Sequence, residues 1–116
     1  MIKQLLNIEQ ACSFEIEFQA KDKLGEPIDL TGVTLVGRIK KAYGSPESIA
    51  KSFAISVPTG IDGWFSIVLD SNDTNMEPGT YVWDVIGEEG SANVINKYAG
   101  GQAIIYPSVT IPIDEY

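Results

Sequence analysis

A strict two-residue alternation constrains this chain more than any other feature. In Ser13-Phe14-Glu15-Ile16-Glu17-Phe18-Gln19 apolar and polar residues trade places at every step. Side chains of an extended strand point to opposite faces in turn, so Phe14, Ile16 and Phe18 share one face. No useful stretch repeats apolar residues at the helical spacing of 3.6. The period of two returns along the chain. Val33–Lys40 reads as a second strong strand, with Val33, Leu35, Gly37 and Ile39 facing inward, or the alternate set if a bulge intervenes. Lys51–Val57 is a third, with Phe53, Ile55 and Val57 on one face; Trp64–Leu69 and Thr80–Ile86 follow. Asn93–Ala99 and Gln102–Tyr106 are two more, parted by a bend at Gly100-Gly101, and Ile2–Ile8 is a weaker strand ahead of them all.

Turn chemistry punctuates these segments. Lys21–Pro27, Pro58–Gly63 with its Asp62-Gly63 pair, and Gly87–Ser91 carry the residues that reverse a chain, while Tyr43–Ser48 reads as a loop. Asp70–Gly79 is polar and crosses between strands, with one helical turn near Thr74–Met76. Short strands with turn signals every ~8–12 residues predict an all-β, immunoglobulin-like antiparallel β-sandwich of about seven to eight strands. A single domain covers 1–116, and 107–116 form an extended C-terminal tail, because two prolines and two acids there disfavour further pairing.

Composition narrows the function. The net charge is −8, from 16 acidic and 8 basic residues, and the longest basic stretch is only Arg38, Lys40 and Lys41. Gripping a phosphate backbone requires clustered basic residues, so nucleic acid is not the expected partner. No segment approaches the ~20 apolar residues of a membrane-spanning helix, and the N-terminus lacks the pattern of a signal peptide. Synthesis in the cytoplasm is expected. The one cysteine, Cys12, cannot form an intrachain disulfide. With no histidine to activate its thiol, Cys12 reads as a small buried or half-buried residue.

The chemistry-bearing candidates are few. Without histidine the usual triads and most transition-metal sites are absent, and one cysteine makes no zinc site. The loop Asp70-Ser71-Asn72-Asp73-Thr74-Asn75 fails as a calcium hand: Thr74 stands at the third ligand, Asn75 at the glycine position and Tyr81 at the final glutamate. Asn72-Asp73-Thr74 fits a glycosylation acceptor that matters only in a secretory pathway. The carboxylate pairs Glu15/Glu17 and Glu88/Glu89 lie on a strand's outward face and in a turn, where they serve solubility and deter stray strand pairing. Neither a cofactor nor a metal nor a catalytic residue is therefore expected. Aromatics remain: Trp64, Trp83, Tyr81, Tyr98 and Tyr106 pack in a core by default, with one of the two tryptophans expected inside. Exposed, they would serve a protein interface or a carbohydrate-binding face. Tyr81, just where a cross-over enters a strand, matches the corner tyrosine of immunoglobulin-like sandwiches, whose hydroxyl bonds upstream backbone.

An ordered series of motifs carries a resemblance. Phe14-Glu15-Ile16-Glu17-Phe18 is followed by Gly25-Glu26-Pro27-Ile28-Asp29-Leu30-Thr31-Gly32, Gly63-Trp64-Phe65, Pro78-Gly79-Thr80-Tyr81-Val82-Trp83-Asp84-Val85 and Pro107-Ser108-Val109-Thr110. Over nearly the whole chain this resembles the small immunoglobulin-like proteins and domains of tailed bacteriophages, including the N-terminal domain of phage baseplate upper proteins. In the two blocks that carry it, Gly25 and Gly32 permit unusual backbone angles, Pro27 stiffens the approach and Leu30 plugs the sandwich end. Asp29 and Asp84 are expected to bond backbone amides. The resemblance implies a virion part with no catalytic residues, partnered by other tail or baseplate proteins or by repeated copies of itself. In that family the domain often anchors a longer receptor-binding chain, and this sequence departs from that pattern, so a free-standing accessory subunit is the expectation. Ile2, Leu5 and Leu6, together with Ile111, Ile113 and Tyr116, are the expected contact residues.

Overall fold

The computed structural model describes residues 2–41, 51–57, 62–89 and 94–109. Their nine strands are β1 (Ile2–Lys3), β2 (Leu6–Glu9), β3 (Phe14–Gln19), β4 (Val33–Lys40), β5 (Lys51–Ser52), β6 (Ala54–Ser56), β7 (Trp64–Leu69), β8 (Gly79–Glu89) and β9 (Val94–Tyr106). One sheet runs β1-β9-β8-β4-β5, with β2 also on β9; the other runs β3-β7-β6. Two facing sheets of this order form the expected all-β, immunoglobulin-like sandwich.

The alternation places the core. Phe18 pairs with Phe65, Ile16 with Ile67 and Phe14 with Leu69 across β3 and β7, all on the inner face. From the other sheet Ile39, Tyr81, Trp83 and Val85 meet them. Trp83 is the hub: it stacks on Phe18 at 5.6 Å and meets Phe53 edge-on at 6.1 Å. In antibody domains a disulfide joins the two sheets, and its second cysteine stands two residues after the corner tyrosine. Trp83 stands two residues after Tyr81, so an aromatic stack bridges the sheets where a cysteine pair would. Gly37 makes room for it, because a Cβ there would meet Phe53 and Val85 side chains at 2.9 Å.

Three expectations are corrected. First, the sandwich is not wholly antiparallel, since β1 and β2 both run parallel to β9. Second, Gly100-Gly101 does not divide two strands. β9 is continuous, and the glycines instead admit the backbone of Gln4: a Cβ on Gly101 would lie 2.6 Å from the Gln4 carbonyl. That carbonyl also accepts the Trp83 indole N–H at 3.0 Å, and the same approach separates β1 from β2. Third, the expected strand Lys51–Val57 changes sheets. Lys51–Ser52 pairs with β4, Phe53 turns inward, and Ala54–Ser56 pairs with β7. Val57 consequently leaves the inner face and is exposed. A bulge between Val85 and Ile86 leaves Tyr98 outside the pairing register and buried, in the space that Gly87 keeps open.

Candidate interaction surfaces

The two motif blocks build opposite corners of the sandwich. In the first, Asp22 Oδ1 accepts the amides of Leu24 and Glu26 at 2.9 and 3.1 Å, closing a tight loop whose arms bridge at Lys21 and Pro27. Gly25 and Gly32 hold φ values of 83° and 79°, the left-handed region where a side chain is strained. Asp29 Oδ1 accepts the Thr31 amide at 2.9 Å, as expected. Bonds from the Thr31 hydroxyl and amide hold the Asp29 carboxyl below its ordinary range. Leu30, 3% exposed, plugs the core beneath this loop.

The second block is the corner. Pro78 leads into Gly79, which opens β8, and the Tyr81 hydroxyl donates to the Glu77 carbonyl at 2.6 Å. The corner tyrosine expected from the sequence is therefore present. Burial and the nearby Glu77 charge raise the Tyr81 phenol above its ordinary value, and the Lys41 ammonium stands 4.7 Å from the ring centre. The acidic loop beside it is an internal brace. Asp70 Oδ1 accepts the Asp73 amide at 2.8 Å, and fully buried Thr74 donates to the Cys12 carbonyl at 2.6 Å. The helical turn runs from Asp70 to Thr74, slightly earlier than expected. Cys12 itself is exposed, contrary to the expectation of burial, because Ala11 takes the inward position at φ 60°.

Asp84 departs from the backbone-bonding role anticipated for it. It stands opposite Arg38 across β4 and β8, and its carboxylate lies 3.4 Å from the Lys97 ammonium. This charged row crosses the outer face of the larger sheet. Beside it lie Val36, paired with Ile86, and Ile95, which is 60% exposed. The outer face of the smaller sheet differs: Glu15 and Glu17 flank Val68 and Ser66, and Trp64 stands opposite Gln19. A third surface feature is a cleft of about 290 Å³ between the loop after β3 and the start of β9, lined by Lys21, Asp22, Lys23 and Ile28 on one side and Asn96, Lys97 and Tyr98 on the other. Neither sequence alternation nor motif order signalled this cleft, because it joins segments far apart in sequence.

The expected contact residues divide. Leu5 is 44% exposed and Ile2 is partly buried, but Leu6 is 1% exposed and belongs to the core, where its side chain follows the inner face of β9. Ile111, Ile113 and Tyr116 lie outside the described residues. Just before them, Ser108 is tied to Gln10 through its hydroxyl at 2.7 Å, which holds this part of the chain beside the end of β2. Of the aromatics, Trp83, Tyr81 and Tyr98 are buried; Trp64 and Tyr106 are exposed on different sheets.

No protein-family model and no curated protein matches the chain. Among solved structures it is similar to the "N-terminal domain of phage TP901-1 ORF48", over 90% of this chain and 98% of that one, with TM-score 0.57 and 12% identity. At that identity the likeness is one of fold. It is also similar to the NK cell receptor NKp44 (TM-score 0.44, 13% identity, 93% and 100% of the two chains). A family 123 glycoside hydrolase from Clostridium perfringens is a further match (TM-score 0.44, 8% identity, 94% of this chain and 24% of that one). The last two are too distant to carry an argument.

Proposed function

We infer that the chain is a non-enzymatic structural subunit of a tailed phage or prophage particle, a tail or baseplate component that works by protein–protein association. The observation that carries this reading is the nearly end-to-end fold match to a phage domain. The ordered motifs Gly25–Gly32 and Pro78–Asp84 support it, since they form the loop and corner that frame the sandwich. The surfaces fit association better than turnover. They are broad sheet faces and a lysine-lined cleft, with no described group of three or more metal-ligating side chains.

The rival use, a carbohydrate-binding platform, requires neighbouring exposed rings. Trp64 and Tyr106 sit on separate sheets and cannot form one together.

Deleting the coding sequence from an inducible phage genome tests the proposal. Electron microscopy should show particles with incomplete or altered tails, restored by supplying the chain in trans. Normal, infectious particles together with glycan binding by the purified protein would sink the structural reading.

A further inference from the structure

We propose that residues 110–116 of one copy dock in the lysine-lined cleft of the next, joining copies head to tail; this rests on the assembly-subunit reading. The chain carries 8 basic residues against 16 acidic ones, yet three lysines line this one cleft: Lys21, Lys23 and Lys97. Asp22 also lines it, its carboxylate bonded to the amides of Leu24 and Glu26, and Lys97 is partly neutralised by Asp84 at 3.4 Å. Three lysines against the Asp22 and Asp84 carboxylates leave the cleft a net positive charge of one. Between them Ile28 and Tyr98 add apolar surface. The occupant this chemistry selects is a short acidic peptide with apolar side chains. Thr110-Ile111-Pro112-Ile113-Asp114-Glu115-Tyr116 has that composition, with two carboxylates and no basic residue.

Strand direction favours the cleft of a neighbouring copy. β9 passes the cleft near its start, at Lys97 and Tyr98, and runs to Tyr106 at the opposite end, where Ser108 is fastened to Gln10. The cleft thus lies about 27 Å back along β9, at roughly 3.4 Å per residue. Glu115 is seven residues beyond Ser108, and a fully stretched chain of that length reaches at most about 25 Å. To fill its own cleft the tail would have to double back at Ser108 and stay almost fully stretched, giving up its conformational freedom, whereas a neighbouring copy can present its cleft directly. A contact between two different surfaces of one molecule is heterologous, and repeating it closes a ring or extends a filament.

The test is zero-length carbodiimide cross-linking of a mixture of unlabelled and ¹⁵N-labelled full-length protein, read by peptide mass spectrometry. The expected products join Asp114 or Glu115 to Lys21, Lys23 or Lys97 in mixed-isotope pairs. Same-isotope pairs alone, or none of these pairs, would overturn the inference. A charge swap supplies the second readout. Lys21→Glu with Lys23→Glu, and separately Asp114→Lys with Glu115→Lys, should each weaken self-association in sedimentation by at least about tenfold, and the combined variant should recover it. Failure of the combined variant to recover, with folding intact by circular dichroism, also overturns it. The particle reading stands apart: protein present in virions without these cross-links refutes the docking alone, and cross-links without virion incorporation refute the particle reading alone.

Discussion

Tyr81 closes its corner with one atom, and the energetic consequence can be isolated. Tyr81→Phe keeps the ring packed and removes only the bond to Glu77, so it should cost about 1 kcal/mol in urea unfolding. The pH dependence has a definite sign. The folded-state phenol is raised above its ordinary value by burial and by Glu77, so its contribution is fully present below about pH 10 and is lost as pH rises through the raised value. The stability gap between the parent and Tyr81→Phe should therefore shrink in alkaline solution; a gap constant to pH 11 would contradict the assignment. Trp83 is a larger matter. Trp83→Ala empties the centre of the inter-sheet stack and should cost about 3–5 kcal/mol. Much of this was legible: Tyr81 from its place after Pro78-Gly79, and Asp29 and Leu30 from the Gly25–Gly32 motif block that contains them. Cys12 was not, because the choice between Ala11 and Cys12 as the inward residue rests on a single left-handed backbone angle.

Among the elements, β1 and β2 carry the clearest lesson. Alternation shows that Leu6 and Ile8 share a face, but it says nothing of which strand they pair with or in which direction. Both strands run parallel to β9, and the Gly100-Gly101 opening lets Gln4 approach between them and the Trp83 indole reach it. Because Leu6 and Ile8 are 1% and 0% exposed, removing residues 1–9 should unfold the domain rather than merely weaken assembly. Leu6→Ala alone should cost about 2–5 kcal/mol, and hydrogen exchange should show β9 losing protection first. If the truncated chain stays folded with unchanged protection, the N-terminal segment is a contact arm after all. The sheet change at Phe53 was equally hidden. A continuous period of two cannot reveal that hydrogen bonds pass from β4 to β7 partway along.

For the whole molecule, the architecture was readable because alternation and turn spacing are repeated many times over, so single errors cost little. The surfaces were not, since each is assembled from distant segments: Lys21 and Lys97 meet only once the sandwich has formed. A head-to-tail contact between carboxylates and lysines at the molecular surface should be sensitive to salt. Self-association should weaken markedly between low ionic strength and about 1 M, where the screening length falls to about 3 Å. The central claim is that this sandwich is a fixed part of a particle. Quantitative peptide mass spectrometry on gradient-purified particles from a producing strain tests it most directly. The chain should be present at a small, constant copy number per particle, in a ratio to known tail proteins that does not change between preparations. Intact particles lacking the chain, despite its clear expression in the producing cells, would contradict it.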